Sequence, residues 1–169
     1  MQTSSQFARP RSPSTGLTAV AGIRSGHASD YEGLTGCTVI LCEEGAVAGY
    51  DIRGAATGTE EFFLMSPLHL TGRIHAVVFA GGSAFGLEAA SGVRRYLARR
   101  GVGFPTPAGP VPLVVAAILY DLNLGPSEAR PTREMGEVAA ASAHDGPVVE
   151  GAVGAGTGAT VGKLFGIAQ

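Results

Sequence analysis

The sequence predicts an α/β (α+β) layered fold in a single domain, and three observations carry that reading. Apolar runs of strand length alternate with two stretches whose apolar residues recur at helical spacing. The strand-like runs are bounded by Gly, Pro or acidic pairs, which punctuate short elements. The chain has 169 residues, 45% of them hydrophobic, enough for one core and too few for two. The order of strands, helix, strand, helix, strand points to layers and excludes a helix-only bundle or a closed barrel.

Residues 1–15 carry Arg9 and Arg11 but no apolar stretch of signal-peptide type, so they read as a flexible arm before a single domain at 16–169. "CTVILC" (37–42) and "AVAGYDI" (46–52) are separated by Glu43, Glu44 and Gly45, which predicts a β-hairpin. "RGAATGTEEFF" (53–63) is small and polar and reads as a loop. "IHAVVFA" (74–80) is a buried strand, followed by a glycine turn and a helix with Phe85, Ala89, Gly92, Val93, Tyr96 and Leu97 on one face. Ser83 is the expected N-cap of that helix. Gly86 and Gly92 each weaken a helix by up to about 1 kcal/mol relative to Ala, a cost that fits close approach to another element. "VPLVVAAILYDL" (111–122) reads as a second buried strand, too continuous to face water. "RPTREMGEVAAASAH" predicts a second helix capped by Thr132, with Met135, Val138, Ala139 and Ser142 on its inner stripe. "PVVEGAV" (147–153) is the candidate last strand.

Composition excludes several function classes. A net charge of -2 and a pI near 6.1 give no basic face for nucleic acid. The one basic cluster, Arg94, Arg95, Arg99 and Arg100, falls on the solvent side and carboxyl end of the first helix, where cations suit the helix dipole. No apolar run is long enough to cross a membrane. Cys37 and Cys42 stand an odd number of residues apart in one strand, so they point to opposite faces and cannot share a metal or a disulfide. Both are expected as buried thiols of a cytoplasmic protein. Gly accounts for 26 residues without a repeat, which argues for many tight turns in a folded chain.

Candidate chemistry concentrates at strand ends and glycine turns. The run "GAGTGATVGK" (154–163) resembles a phosphate cradle, but Thr157 and Leu164 occupy positions where a P-loop needs Gly and a hydroxyl. Its glycines then serve the backbone, through positive angles or the close approach of another segment. In "GGSAF" (81–85), Phe85 replaces the last Gly of a nucleophile elbow, so Ser83 reads as a cap. The Gly81, Gly82 and Ser83 amides at that helix start are candidate donors to a carboxylate or oxyanion. His27, His69, His75 and His144 show no ligand spacing, and no metal or cofactor is expected. His75 alternates with apolar neighbours and reads as structural. Tyr120 and Asp121 end a long apolar strand, where α/β sheets present functional groups. A phenol at the core edge with its hydroxyl in water satisfies the same residues. Lys163 is the only lysine in the chain and closes the glycine run.

Taken together, "AGGSAFGLEAASGV", "PLVVAAILYDL", "RPT" and "VGAGTGATVGKL" resemble, in order and spacing, the self-cleaving aminopeptidase and D-esterase family of amino-terminal-nucleophile hydrolases, which includes β-aminopeptidases and nylon-oligomer hydrolases. The resemblance runs from about Gly16 to the end. It implies part of a four-layer α/β/β/α sandwich shared with ornithine acetyltransferases, and a precursor that cuts itself before a Ser or Thr nucleophile. It implies that Tyr120 is an active-site hydrogen-bond donor and that Lys163 lies near the nucleophile. The nucleophile, the oxyanion Asn and the supporting acids of the family fall beyond the point matching Gln169. This chain alone is therefore expected to be inactive and to work in a hetero-oligomer with a second chain or carboxyl-terminal segment that begins with Ser or Thr. The expected substrate is a peptide, amide or ester with a free amine. Two other readings of the same fold are a small-ligand-binding or assembly module and an acyltransferase acting on ornithine or a similar amine.

Overall fold

The computed structural model describes residues 16–166; the arm expected at 1–15 lies outside the described residues. Five strands form one mixed sheet: β1 (Arg24–Asp30), β2 (Thr35–Ala46), β3 (Thr59–Glu60), β4 (Ile74–Ala80) and β5 (Val114–Ile118). Their spatial order is β1-β2-β4-β5-β3. β4 and β5 are parallel, and the other pairs are antiparallel. The β4 to β5 connection passes through α1 (Glu88–Arg99), and α2 (Arg133–Ala141) follows β5. The α+β expectation holds, with β4 starting and ending where the apolar run does.

The hairpin is not where the sequence places it. Residues 35–46 form one strand, and its hairpin partner is β1. Glu43, Glu44 and Gly45 make no turn: they belong to β2, whose pairing with β4 shifts register between Leu41 and Ala46, and Gly45 has φ +82°. An irregularity of this kind absorbs extra residues without ending a strand. The turn that joins β1 and β2 uses the Asp30 side chain, which accepts from the amides of Glu32 at 3.1 Å and Gly33 at 2.8 Å. Residues 147–153 form no strand. β5 is shorter than the apolar run suggests: Val111 pairs with Phe104 in a separate small bridge at one end, and at the other Asp121 is tied to Thr35 and Gly82.

One face of the sheet carries both helices. Cys37, Val39, Leu41, Ala76, Val78, Val114 and Ala116 point into a core completed by Ala89, Ala90, Val93, Leu97, Ala139 and Ala140. Leu97 and Val93 are fully buried, and burying each such side chain contributes roughly 1.5–3 kcal/mol. The helices meet through glycine: a Cβ on Gly92 would overlap the Arg133 carbonyl, and one on Gly136 would overlap that of Ala89. Gly86 lies equally close to the Gly81 carbonyl, so the expectation of close approach at both α1-side glycines holds. Three residues expected on the inner stripes face water instead. Phe85 is exposed, because it sits in a 3-10 turn (Ser83–Leu87) whose period differs from the α-helix that follows. Val138 and Ser142 are also exposed; of the expected stripe Ala139 is buried and Met135 half-buried, and Gly136 and Ala140 join them, since the glycine contact rotates the inner face of α2.

Arg94, Arg99 and Arg100 pair with Glu60, Glu137 and Glu43. The basic cluster thus ties α1 to β3, α2 and β2 in place of facing water alone. Cys37 and Cys42 are free, buried, and in separate clusters on opposite faces, as their spacing requires. Burial pushes the Cys37 thiol up to about 12 and the Cys42 thiol up to about 11.

Candidate active site

Because β4 and β5 are parallel neighbours, their carboxyl ends face the same way and the loops after them converge. That geometry brings residues 81–87 against residues 119–124. Asp121 is the tie between them. Its buried carboxylate accepts from Thr35 Oγ1 at 2.7 Å and from the Gly82 amide at 2.6 Å. A Cβ on Gly81 would overlap that carboxylate, so Gly is required there for space. Gly82 has φ +76°, the left-handed region that glycine enters without a steric cost.

Ser83 does not cap the helix. Gly82 holds the cap position, the Ser83 side chain makes no capping bond, and Ser83 itself has φ +53°. A non-glycine residue in that region is uncommon and is held by its surroundings. Here the Ser83 amide donates to the Leu119 carbonyl at 3.0 Å. The Gly81 amide donates to the Gly36 carbonyl at 2.9 Å. All three amides of the turn therefore have acceptors within the chain, and what the turn presents outward is the half-buried Ser83 side chain and the exposed Phe85. The Arg130 guanidinium stacks over the Phe85 ring, 3.6 Å from its centroid.

Tyr120 and Lys163, distant in sequence, wall one cavity of about 160 Å³ together with Asp121, Asn123, Leu124 and Thr160. The exposed Tyr120 hydroxyl donates to Asn123 Oδ1 at 3.2 Å. Lys163 Nζ donates to the Thr160 carbonyl at 2.7 Å. The lining offers a phenol, an ammonium, an amide, a hydroxyl and the Asp121 carboxylate, with no histidine, cysteine or serine among the described residues. Asn123 and Thr160 escaped the reading of the sequence. The polar residues directly after the apolar run "AAILY" were the available signal for Asn123; Thr160 had none.

The glycine run reaches this cavity by threading across the sheet. Ser29 Oγ accepts from the Gly154 amide at 2.7 Å, and Thr38 Oγ1 accepts from the Ala155 amide at 3.0 Å. A Cβ on Gly158 would overlap the Leu34 carbonyl and approach Asp121 Cβ to 3.1 Å. These glycines serve close backbone packing, and the leading amides of the run are directed at the sheet. Thr38 Oγ1 also bonds His27 Nδ1 at 2.9 Å. Burial, and secondarily the nearby His144, hold the His27 imidazole below its ordinary pKa. His75 lies at the opposite end of the sheet, where its Nδ1 accepts from the Leu113 amide at 3.1 Å. Among the described residues no group of His, Cys, Asp and Glu is arranged to hold a metal ion, and no helix is long and apolar enough to cross a membrane.

A model of the family described as Peptidase family S58 matches residues 15–166. The chain is 39% identical to an uncharacterized aminopeptidase of Mycobacterium leprae, over 91% of this chain and 47% of that protein. It is 34% identical to a 6-aminohexanoate-oligomer endohydrolase of Kocuria, over 85% of this chain and 38% of that protein. The chain spans about half the length, or less, of these curated relatives. Among solved structures it is similar to an L-aminopeptidase D-Ala-esterase/amidase from Ochrobactrum anthropi, described as a variant among the Ntn hydrolase fold. That likeness has a TM-score of 0.65 at 21% identity and covers 83% of this chain and 43% of the other. At that identity it establishes the fold.

Proposed function

The chain belongs to peptidase family S58, and from that premise we propose that it is the amino-terminal part of a self-processing hydrolase of peptides, amides or esters with a free amine. The observation that carries the reading is the Tyr120–Lys163 cavity. It holds a hydrogen-bond donor and a cation at one wall, and it gains a reacting group when a second segment brings a Ser or Thr at its own amino terminus. A freed α-amine has an ordinary pKa near 8. The Lys163 ammonium favours its neutral form, which accepts the proton of the adjacent hydroxyl as that oxygen attacks the substrate carbonyl. Tyr120 turns its hydroxyl from Asn123 to the developing oxyanion. The α-ammonium so formed gives its proton to the departing amine or alcohol, leaving an acyl-enzyme, and the freed α-amine then takes a proton from the water that releases the acid and returns it to the hydroxyl oxygen. Gly81, Gly82 and Ser83 lie outside the cavity lining, and their part in substrate binding is indirect: they fix the wall behind it through the Gly82 bond to Asp121.

The uncovered face of the sheet supports the same reading. Phe79 lies in β4, an interior strand, yet is 39% exposed. Ile40, Val77 and Ala117 on that face are only half-buried. A second sheet from the proposed carboxyl-terminal segment would bury them and complete an α/β/β/α sandwich within a hetero-oligomer. A cytoplasmic location belongs to the same proposal, and cell fractionation checks it.

The test is denaturing intact mass with amino-terminal sequencing of the full protein. A second chain beginning with Ser or Thr is the expected result. In that protein Tyr120→Phe is expected to lower kcat roughly a hundredfold, the scale of losing one oxyanion donor, with unchanged folding. A single uncut species with no hydrolysis of amino-acid amides would overturn the proposal in favour of a binding or assembly module.

A further inference from the structure

A second cavity, of about 320 Å³, lies at the amino-terminal end of β4 and β5, opposite the Tyr120–Lys163 cavity. Its lining is Thr71, Gly72, Arg73, His75, Gly103, Phe104, Pro105 and Leu113, with no carboxylate among them. We propose that it binds a small carboxylate anion with an apolar body, held by Arg73 and the His75 ring against a wall of Phe104, Pro105 and Leu113.

The donors follow from local structure. His75 is 8% exposed. Its backbone amide donates to the Leu113 carbonyl at 2.8 Å, and the Leu113 amide returns a bond to Nδ1 at 3.1 Å. With Nδ1 accepting, the neutral ring carries its proton on Nε2. Burial holds the imidazole below its ordinary pKa, so the ring is a neutral donor at physiological pH. Arg73 is anchored by Nη1, which donates to the Gly45 carbonyl at 2.7 Å. Its stem lies on Gly45, where a Cβ would come within 3.1 Å of Arg73 Cδ. The anchor leaves Nε and Nη2 for a planar acceptor, and a guanidinium fork matches a carboxylate in shape.

The apolar wall is rigid for a loop. Phe104 and Val111 exchange backbone bonds at 2.7 and 2.8 Å, and Thr106 Oγ1 donates to the Gly109 carbonyl at 2.6 Å across the turn between them. The Thr71 hydroxyl is engaged with His69 Nδ1 at 3.1 Å and closes the polar side. A cavity of this size, mostly apolar with a few fixed polar groups, has the composition of a small-ligand site. The proposal does not depend on the hydrolase reading, because neither Tyr120 nor Lys163 takes part.

The experiment is calorimetric titration of the purified protein, in its native assembly, with benzoate, benzyl alcohol and inorganic phosphate. Saturable benzoate binding is expected, with benzyl alcohol about tenfold weaker or more, the scale of one charge-assisted hydrogen bond. Arg73→Gln is expected to weaken benzoate about tenfold while Arg73→Lys retains part of the affinity. Both variants are expected to melt with the wild type, since Arg73 is exposed. Benzoate that never saturates, Arg73→Gln binding as wild type, or phosphate binding more tightly than benzoate would each overturn the carboxylate assignment.

Discussion

The two faces of the sheet are similar in sequence and unlike in burial. Along β2, Cys37, Val39 and Leu41 alternate with Thr38, Ile40 and Cys42, so either face could be read as the core. The first set is sealed by α1 and α2. The second is covered only in patches, by the 3-10 turn Phe62–Met65 with its neighbours at one end and by the glycine run at the other. Phe79, on this second face, remains 39% exposed in an interior strand. Strands of a water-facing sheet place polar residues on the open side; here the open side is Ile40, Val77 and Phe79. The difference teaches that the second face is composed for burial that the described residues do not supply.

That contrast can be broken or sharpened by measurement. The largest effect is expected from Leu97→Ala on the helix-covered face, a loss of about 2–5 kcal/mol by denaturant unfolding of residues 1–169. Phe79→Ala in the same chain is expected to cost about 1–2 kcal/mol, because the residue is 39% exposed and only its buried part is lost. In the proposed longer protein the Phe79 cost is expected to rise toward about 3–5 kcal/mol, and equal costs in both forms would sink the idea of a covering layer. Next in size is Asp121→Ala, which leaves the Thr35 hydroxyl and the Gly82 amide without their acceptor. A loss of about 1–3 kcal/mol is expected, with Thr35→Val smaller than Asp121→Ala because it keeps the Gly82 bond. Smaller again is dye binding: Phe79→Ser is expected to reduce binding of an apolar dye to the 1–169 chain, where Val138→Ser, on the other layer, changes it less.

The smallest effect is one of pH. The folded pKa of His27 is depressed below the ordinary 6.5, so the unfolded chain takes up a proton before the folded one does. Stability is complete above about pH 6.5, declines as pH falls from there to the lowered folded value, and is level below it. His75 acts in the same direction. His27→Gln is expected to flatten part of that decline in unfolding curves taken between pH 7 and pH 5.

Legibility followed the range of the interactions. β4 and α2's Thr132 cap, which accepts from the Met135 amide at 3.2 Å, were visible because local alternation and capping chemistry determine them. The β1–β2 hairpin was missed although Asp30 and Gly33 spell its turn, since Glu43-Glu44-Gly45 spells one equally well and only pairing with β4 decides between them. Ser83 looked like a cap because its composition is that of one; the tertiary bond from its amide to Leu119 holds it in a left-handed conformation that no local rule predicts. Tyr120 and Lys163 could be singled out separately, as a strand-end phenol and a lone lysine, but their sharing of a cavity is a consequence of the parallel β4–β5 pair and the path of the glycine run.

The sequence by itself determined the class of fold, the opposite facing of Cys37 and Cys42, the failure of the phosphate-cradle pattern and, through its joined motifs, the family. Those follow from periodicity and from residue chemistry that acts within a few positions. The tertiary structure alone decided which helix residues face the core, that Asp121 locks the glycine turn, that the Gly81–Ser83 amides point inward, and which sheet face is left open. Each of these depends on where a distant backbone atom sits, as when the Arg133 carbonyl excludes any side chain at position 92, and contact between distant segments is set by packing, which local pattern does not encode.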